Sequence, residues 1–226
     1  HLYEFKDEYA NMPVDVQKDE EKGLYYVQKE KKRLYFRKST PAKKIQKYYR
    51  ALSMEQDRRS PHHYFNSVKE VTGKVFVDVG CAEGYSSLEI IEEAKHVYLF
   101  EQDEQWLEAI RATFEPWQDK VTIVQKYVSD HNSSREQTLD DFFNNQTDEH
   151  LFLKMDIEGA ERHALAGCKN LFQNCQKLDF AICTYHLRDD EEVISAFLNK
   201  HNCTYINQKG FFRHRIRSVV MRGSKK

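Results

Sequence analysis

Val75-Phe76-Val77-Asp78-Val79-Gly80-Cys81-Ala82-Glu83-Gly84 is the stretch on which the reading of the chain turns. The apolar run Val75–Val77 predicts a buried strand, Asp78 to Gly84 predicts a glycine turn, and Tyr85-Ser86-Ser87-Leu88-Glu89-Ile90-Ile91 then carries helical apolar spacing. Gly80 and Gly84 supply the backbone freedom and close approach that a ligand lying across a strand end demands. The dinucleotide fingerprint G-x-G-x-x-G is absent. That motif sets a helix N-terminus against a pyrophosphate, whereas G-x-x-x-G preceded by an acid makes a wider loop without the cradle. An ordinary strand-to-helix turn is the competing reading.

Working outward, His96-Val97-Tyr98-Leu99-Phe100 predicts the next strand, ending on Glu101. An acid about 20 residues beyond the first turn is where a ribose-binding carboxylate is expected. An acidic turn also suits a ligand carrying an ammonium and a sulfonium, as S-adenosylmethionine does. The unit then repeats. Val121–Val124 leads to Ser129-Asp130, Leu151–Met155 leads to Asp156-Ile157-Glu158-Gly159, and Phe180–Cys183 leads to Thr184-Tyr185-His186. Helical patterns fall between them, at 102–114, 136–145, 160–173 and 189–201, with Asp189-Asp190 placed as an N-terminal cap. Alternating strands and helices predict an α/β fold with a parallel sheet covered on both faces, and ligands in such sheets sit at the carboxyl ends of the strands.

Val77 to Ser86, Phe100-Glu101, Val128-Ser129-Asp130, Thr138 to Phe142 and above all Lys154-Met155-Asp156-Ile157-Glu158-Gly159-Ala160-Glu161 resemble, in order and spacing, the FkbM family of S-adenosylmethionine-dependent methyltransferases. The resemblance covers roughly residues 73–222. It departs at Ala82-Glu83, where Asn is usual, and at Gln102-Asp103, where Pro commonly follows the acid. It implies a class I methyltransferase fold: a Rossmann-like three-layer sandwich around a seven-stranded, mostly parallel sheet with an antiparallel last strand. It also implies that Asp78, Gly80 and Gly84, with Cys81, Ala82, Glu83, Tyr85 and Ser86 of the same loop, surround the methionine half of the cofactor. Glu101 and Gln102 would lie at the ribose, Ser129-Asp130 at the adenine edge, and Asp156 beside the cofactor. A simple turn is the alternative for Ser129-Asp130.

Methyl transfer from a sulfonium needs alignment of acceptor, methyl carbon and sulfur, and relief of the acceptor's proton. Candidates on the ligand-bearing edge are Lys154, Asp156, Glu158 and His186, and His186 is the expected general base because an imidazole accepts a proton near neutral pH. The alternatives are a histidine capping a strand end, carboxylates that merely hold the loop and following helix, and a divalent cation bound by Asp156, Glu158 and His186.

The 226 residues suffice for one core with an appendage, residues 1–72 preceding a domain at 73–226. No apolar run approaches a membrane span, no signal peptide is evident, and five cysteines without a C-x-x-C pair point to reduced thiols in a cytoplasmic setting. In the N-terminal third, residues 1–21 are acidic, Leu24–Val27 and Leu34–Phe36 predict two strands joined by a charged turn, and a basic helix follows. From Lys22 to Arg59 there are 13 Lys or Arg against three acids, a local excess of about +10 in a chain of net charge −1. Such an excess suits a solvated helix face, an anionic acceptor, or peripheral contact with an anionic membrane. Nucleic acid is disfavoured because no recognised binding module appears. The polar segment Glu55–Tyr64, with Arg59, His62 and His63, is a candidate lid or acceptor-binding element; Ser60-Pro61 should break the preceding helix and put His62 and His63 at the start of another, with a surface linker as the alternative for the two histidines. The expectation is a methyltransferase acting on oxygen, with a sugar or glycan hydroxyl as the favoured acceptor. The rivals are a non-catalytic cofactor-binding interaction module and a methyltransferase for a natural product or nucleic acid. Oligomeric state is not encoded in any motif.

Overall fold

Strands that are apolar on both faces must be buried on both faces, and this determines the centre of the molecule. The computed structural model of the chain describes residues 5–144, 148–212 and 215–225. The appendage comes first: α1 (Lys6–Ala10), the antiparallel strands β1 (Val16–Asp19), β2 (Leu24–Lys29) and β3 (Lys32–Tyr35), and α2 (Ala42–Glu55). Then follow β4 (Val75–Val79), α3 (Tyr85–Ile90), β5 (His96–Phe100), α4 (Glu104–Phe114) and β6 (Val121–Val124). The short parallel pair β7 (Tyr127–Val128) and β8 (Glu136–Gln137) leads to α5 (Leu139–Phe142), β9 (Leu151–Met155), α6 (Glu161–Ala166), α7 (Lys169–Asn174), β10 (Leu178–Cys183) and α8 (Asp190–Lys200). The chain ends in the hairpin β11 (Cys203–Phe212) and β12 (Arg215–Lys225).

The main sheet has seven strands in the order β11-β12-β10-β9-β4-β5-β6. Strands β4, β5, β6, β9 and β10 pair in parallel, while β12 lies antiparallel between β10 and β11. This is the expected class I methyltransferase arrangement. Chain order reverses between β4 and β9, paired at Asp78 and Lys154, and such a switch opens a crevice at the carboxyl ends of the strands.

Side chains alternate across this sheet with a period of two. Phe76, Val97, Leu99 and Phe152 face one core, and Val75, Val77, Val79, Leu153 and Met155 face the other, under Ala164, Leu171, Phe172, Ile194 and Leu198. On the first face the appendage supplies the cover. Leu24, Leu34, Phe36 and Ile45 pack in one cluster with Leu88, Ile91, Trp106 and Phe114, and the Tyr35 amide donates to Thr113 Oγ1 at 3.0 Å. Burying each such side chain contributes about 1.5–3 kcal/mol. Residues on both sides of the expected boundary at 72/73 therefore share one core.

Several expected elements differ in extent. Residues 136–145 form β8 and the single-turn α5, capped by Thr138 accepting from the Asp141 amide; position 145 lies outside the described residues, as do 1–4 of the acidic N-terminal stretch. The helix expected at 160–173 is two helices, because a Cβ at Gly167 would come within 2.0 Å of the Ser129 carbonyl oxygen and a chain crossing there forces a break. His62 and His63 begin no α-helix; His62 lies in a turn and His63 in irregular chain, and the next helical element is a single 3-10 turn, Val68–Val71. Asp189 makes no side-chain cap bond and pairs with Arg162 instead, while Asp190 Oδ2 accepts from the Leu187 amide. The terminal strands run well beyond 203–207 and 218–221, taking in described parts of the basic segment between them; positions 213 and 214 lie outside the described residues. Among the described residues no helix is long and apolar enough to cross a membrane, and the five cysteines form no disulfide.

Candidate active site

At the carboxyl ends of β4, β5 and β9 lies a cavity of about 1000 Å³. Its walls are the β4–α3 loop, Glu101 to Asp103, Lys126 to Asp130, the β9–α6 loop and, from the appendage, Arg37, Tyr48, Leu52, Glu55, Gln56, His62 and Tyr64. Ligand pockets span about 300–1,000 Å³, so this volume admits a nucleoside-sized group together with a second molecule.

The β4–α3 loop is built by backbone geometry. Gly80, Ala82 and Gly84 have φ of 77°, 47° and 80°. A Cβ on Gly80 would lie 2.2 Å from the Asp156 carbonyl oxygen, and one on Gly84 would lie 2.7 Å from the Phe114 ring. The close approach expected of a ligand is thus made by protein: the two glycines let the β9–α6 loop and α4 close on the turn. Glu101 binds the same loop, its Oε2 accepting from the Ala82 amide at 3.0 Å and its Oε1 from the Asp103 amide at 2.8 Å. Each oxygen retains a lone pair, and the residue lines the cavity. Cys81, Tyr85, Ser86 and Gln102 also line it, as does Glu83, a buried carboxylate that accepts from Tyr48 Oη at 2.7 Å and is raised by burial. Ser129 and Asp130 line the far end, where Asp130 pairs with His131 at 2.8 Å and His163 at 3.4 Å.

Asp78 does not sit at the turn. It lies within β4, buried, 2.8 Å from Lys154 Nζ, and its Oδ2 accepts from Ser87 Oγ at 2.6 Å. Lys154 also donates to the Gly80 carbonyl at 2.7 Å. Burial opposes the lysine's charge, but Asp78 and Asp156 outweigh it and hold Lys154 protonated. The pair therefore fixes the loop, and as a permanent ammonium Lys154 cannot serve as a base.

Asp156 is the centre of a polar cluster. Its Oδ2 accepts from Tyr64 Oη at 2.6 Å and stands 3.7 Å from His62 Nε2, while its Oδ1 stands 3.5 Å from His186 Nε2. Burial opposes its charge, yet His62, Lys154 and the Tyr64 hydroxyl together hold its carboxyl below the usual range. His186 Nδ1 lies 2.9 Å from Glu161 Oε1, which also accepts from the Ile157 amide, and Glu158 Oε2 lies 3.6 Å from Nε2. Burial would lower His186, but Glu161, Asp156 and Glu158 raise it. Ringed by carboxylates and absent from the cavity wall, His186 is a counter-charge behind Asp156, not a base facing an acceptor. Asp156, Glu161 and His186 present ligand atoms within 4.8 Å of one another, so the convergence involves Glu161 in place of the exposed Glu158. The surrounding carboxylates favour the charged form of His186, while Asp156 Oδ1, Glu161 Oε2 and both His186 ring nitrogens are buried without a hydrogen-bond partner among the described residues.

His62 lines the cavity, its ring nitrogen Nε2 3.2 Å from Tyr185 Oη, and burial lowers it to about 4. His63 and Arg59 do not line it. His63 bonds to the Ser60 carbonyl and lies 2.9 Å from Arg222 on the other side of the segment, and Arg59 is bound to Glu8 and Asp57 at the exposed edge. Other cations of the basic stretch are also committed elsewhere: Lys22 to Glu115, Lys29 to Glu89, Lys32 to the Leu88 carbonyl and Arg50 to the Met12 carbonyl. Of the lysines and arginines in that stretch, all of them described residues, Arg37 alone lines the cavity, stacked over Trp106 and paired with Asp103. The cavity wall is instead rich in carboxylates: Glu55, Glu83, Glu101, Asp156 and Glu158 besides the paired Asp78. The same wall carries Arg37, Lys126 and Lys154, so acids outnumber lysines and arginines there. Sequence reading took Glu55 and Tyr64 only as the ends of the polar segment 55–64, a candidate lid or acceptor-binding element, and gave no role to Tyr185; Glu161 carried a signal as the last acid of the Lys154–Glu161 block.

The sequence pattern of the methyltransferase FkbM domain matches residues 49–206. Among solved structures, a methyltransferase FkbM from Methylobacillus flagellatus KT superposes with a TM-score of 0.55 at 16% identity, over 81% of this chain and 55% of that one. The chain thus spans little more than half the length of that protein. Magnesium protoporphyrin IX methyltransferase from Synechocystis PCC 6803, solved with bound S-adenosylmethionine, gives a TM-score of 0.51 at 14% identity over 83% and 86% of the two chains. No curated protein matches the sequence significantly. The structural likenesses carry the fold, the sequence match covers most of the chain from α2 to β11, and the chain belongs to the FkbM methyltransferase family.

Proposed function

We propose that the cavity binds S-adenosylmethionine and that the protein methylates a hydroxyl of an uncharged small molecule or glycan. The observation that carries this reading is the carboxylate-rich cavity at the β4/β9 switch point, with Glu101 held by two backbone amides at the loop a nucleoside would meet. A cofactor with a net positive charge fits a wall with this excess of acids. Glu101 would hold the ribose diol, the Gly80–Gly84 loop the methionine portion, and Ser129-Asp130 the adenine edge. When bound, the cofactor supplies a methyl already activated on sulfur. The chain's work is to orient and to enclose: Tyr64 fixes Asp156, Lys154 and Asp78 fix the loop carbonyl, and the segment before residue 73 forms a wall of the site.

Calorimetric titration with S-adenosylmethionine and, separately, a nicotinamide dinucleotide tests the cofactor. Micromolar binding of the first alone is the expected result, and no binding would overturn the reading. Conversion to S-adenosylhomocysteine with polyhydroxyl acceptors tests the reaction. Binding without turnover in any acceptor pool would point to an interaction module instead. The five cysteines without a disulfide accord with a reducing, cytoplasmic setting for this chemistry.

A further inference from the structure

Resting on that reading, we propose that Glu55, the last residue of α2, is the catalytic residue that takes the proton from the acceptor hydroxyl. Several other polar groups lining the cavity are already committed. Asp156 accepts from Tyr64 Oη, Glu83 accepts from Tyr48 Oη, Glu101 is bound by two amides, and Lys154 is a permanent cation. Glu55 lines the same cavity, and among the described residues no hydrogen bond to its carboxylate is made; its nearest ionisable neighbour is His62, with Nδ1 4.0 Å from Oε2. A carboxylate turned into a ligand cavity without a donor retains lone pairs for a substrate proton.

Its surroundings give it the proton affinity the task requires. Burial, followed by repulsion from Asp156, Glu83 and Glu158, raises Glu55 to about 7. The carboxylate also stands at the C-terminal end of α2, where the helix dipole disfavours negative charge. Buried neutral His62, protonated Lys154 and the hydroxyls of Tyr48, Tyr64 and Tyr185, all raised by burial, also line this cavity. A base is most effective when its proton affinity matches the working pH. The hydroxyl O–H bond breaks toward a Glu55 oxygen as the hydroxyl oxygen forms its new bond to the methyl carbon, and the electron pair of the broken carbon–sulfur bond stays on sulfur. Glu55 returns the proton to water after product leaves.

The test compares the wild-type chain with Glu55→Gln, which keeps the shape and loses the charge. S-adenosylhomocysteine affinity, read by calorimetry, should stay within about twofold. Turnover of tritiated methyl from S-adenosylmethionine into a pool of simple glycosides and cell-extract metabolites should fall by about 10²–10⁴, and the rise of wild-type turnover with pH near 7 should flatten. Independently of turnover, infrared difference spectra of wild type between pH 5 and 9 should show one carboxyl deprotonating near neutrality, absent from Glu55→Gln. Unchanged turnover and pH profile in the variant, or no such carboxyl, would overturn the role of Glu55 and leave the methyltransferase reading standing. A wild-type chain that binds the cofactor and methylates nothing would overturn both.

Discussion

Lys154 and Asp78 form a buried pair whose members cannot be removed singly without cost. Lys154→Met leaves the Asp78 carboxylate buried with only Ser87 Oγ as donor, and breaking a buried pair costs about 3–5 kcal/mol. Urea unfolding should show that loss, and restoring an uncharged partner with Asp78→Asn in the same chain should recover part of it; a single variant as stable as wild type would contradict the pairing. Glu55 and His62 set opposing pH dependences. His62 is lowered to about 4 from an ordinary 6.5, so between those values the unfolded chain binds a proton the folded chain refuses, and stability falls as pH drops through the window. Glu55 is raised from 4.5 to about 7, so the folded chain binds the extra proton there, and stability falls as pH rises from 4.5 toward 7. The two contributions offset each other between about pH 4.5 and 6.5. Glu55→Gln removes one of them, so its urea midpoint should climb more steeply than that of wild type from pH 5 to pH 6.5, and parallel curves would refute the assignment.

At the scale of elements, close backbone crossings decide more than helix propensity does. Gly167 separates α6 from α7 because the Ser129 carbonyl oxygen occupies the place of a Cβ. Gly167→Ala should push the Ser129-Asp130 segment away from the cavity, weakening cofactor binding by about tenfold or more while leaving the core intact; unchanged affinity by calorimetry would show that this segment makes no contact with the cofactor. The strands and their ends were legible from the sequence because both faces of β4, β9 and β10 are buried, which leaves uninterrupted apolar runs. The break at Gly167 was not legible, since nothing local to 160–173 reveals that another chain segment passes there. The same holds within the site. Glu101 could be found from its place after β5, but Asp78 meets Lys154 from a strand paired across the switch point, Tyr64 reaches Asp156 over 92 positions of sequence, and Glu55 joins a wall built mostly from the strand-end loops. The basic run is a related case: some of its charges are paired with acids from elements distant in sequence, such as Glu89 and Glu115.

Across the whole molecule, a chain of net charge −1 gathers more acids than lysines and arginines around one cavity, while several of the appendage's cations are paired outside it. The long-range field at the site is therefore negative, and it acts differently on the two forms of the cofactor. S-adenosylmethionine carries a sulfonium that S-adenosylhomocysteine lacks, while the ribose, adenine and amino-acid contacts are common to both. Exposed and partly exposed charges are screened over a Debye length that shrinks from about 30 Å at 0.01 M salt to about 3 Å at 1 M. Raising the salt should accordingly weaken S-adenosylmethionine more than S-adenosylhomocysteine, with their affinity ratio shifting several-fold toward the neutral sulfur form. Calorimetry of both ligands at 0.02 M and 0.5 M salt reads this directly. Parallel salt responses would mean that the sulfonium lies beyond the influence of Glu55, Glu83, Asp156 and Glu158, and the methyl would then have to be delivered at some other part of the cavity.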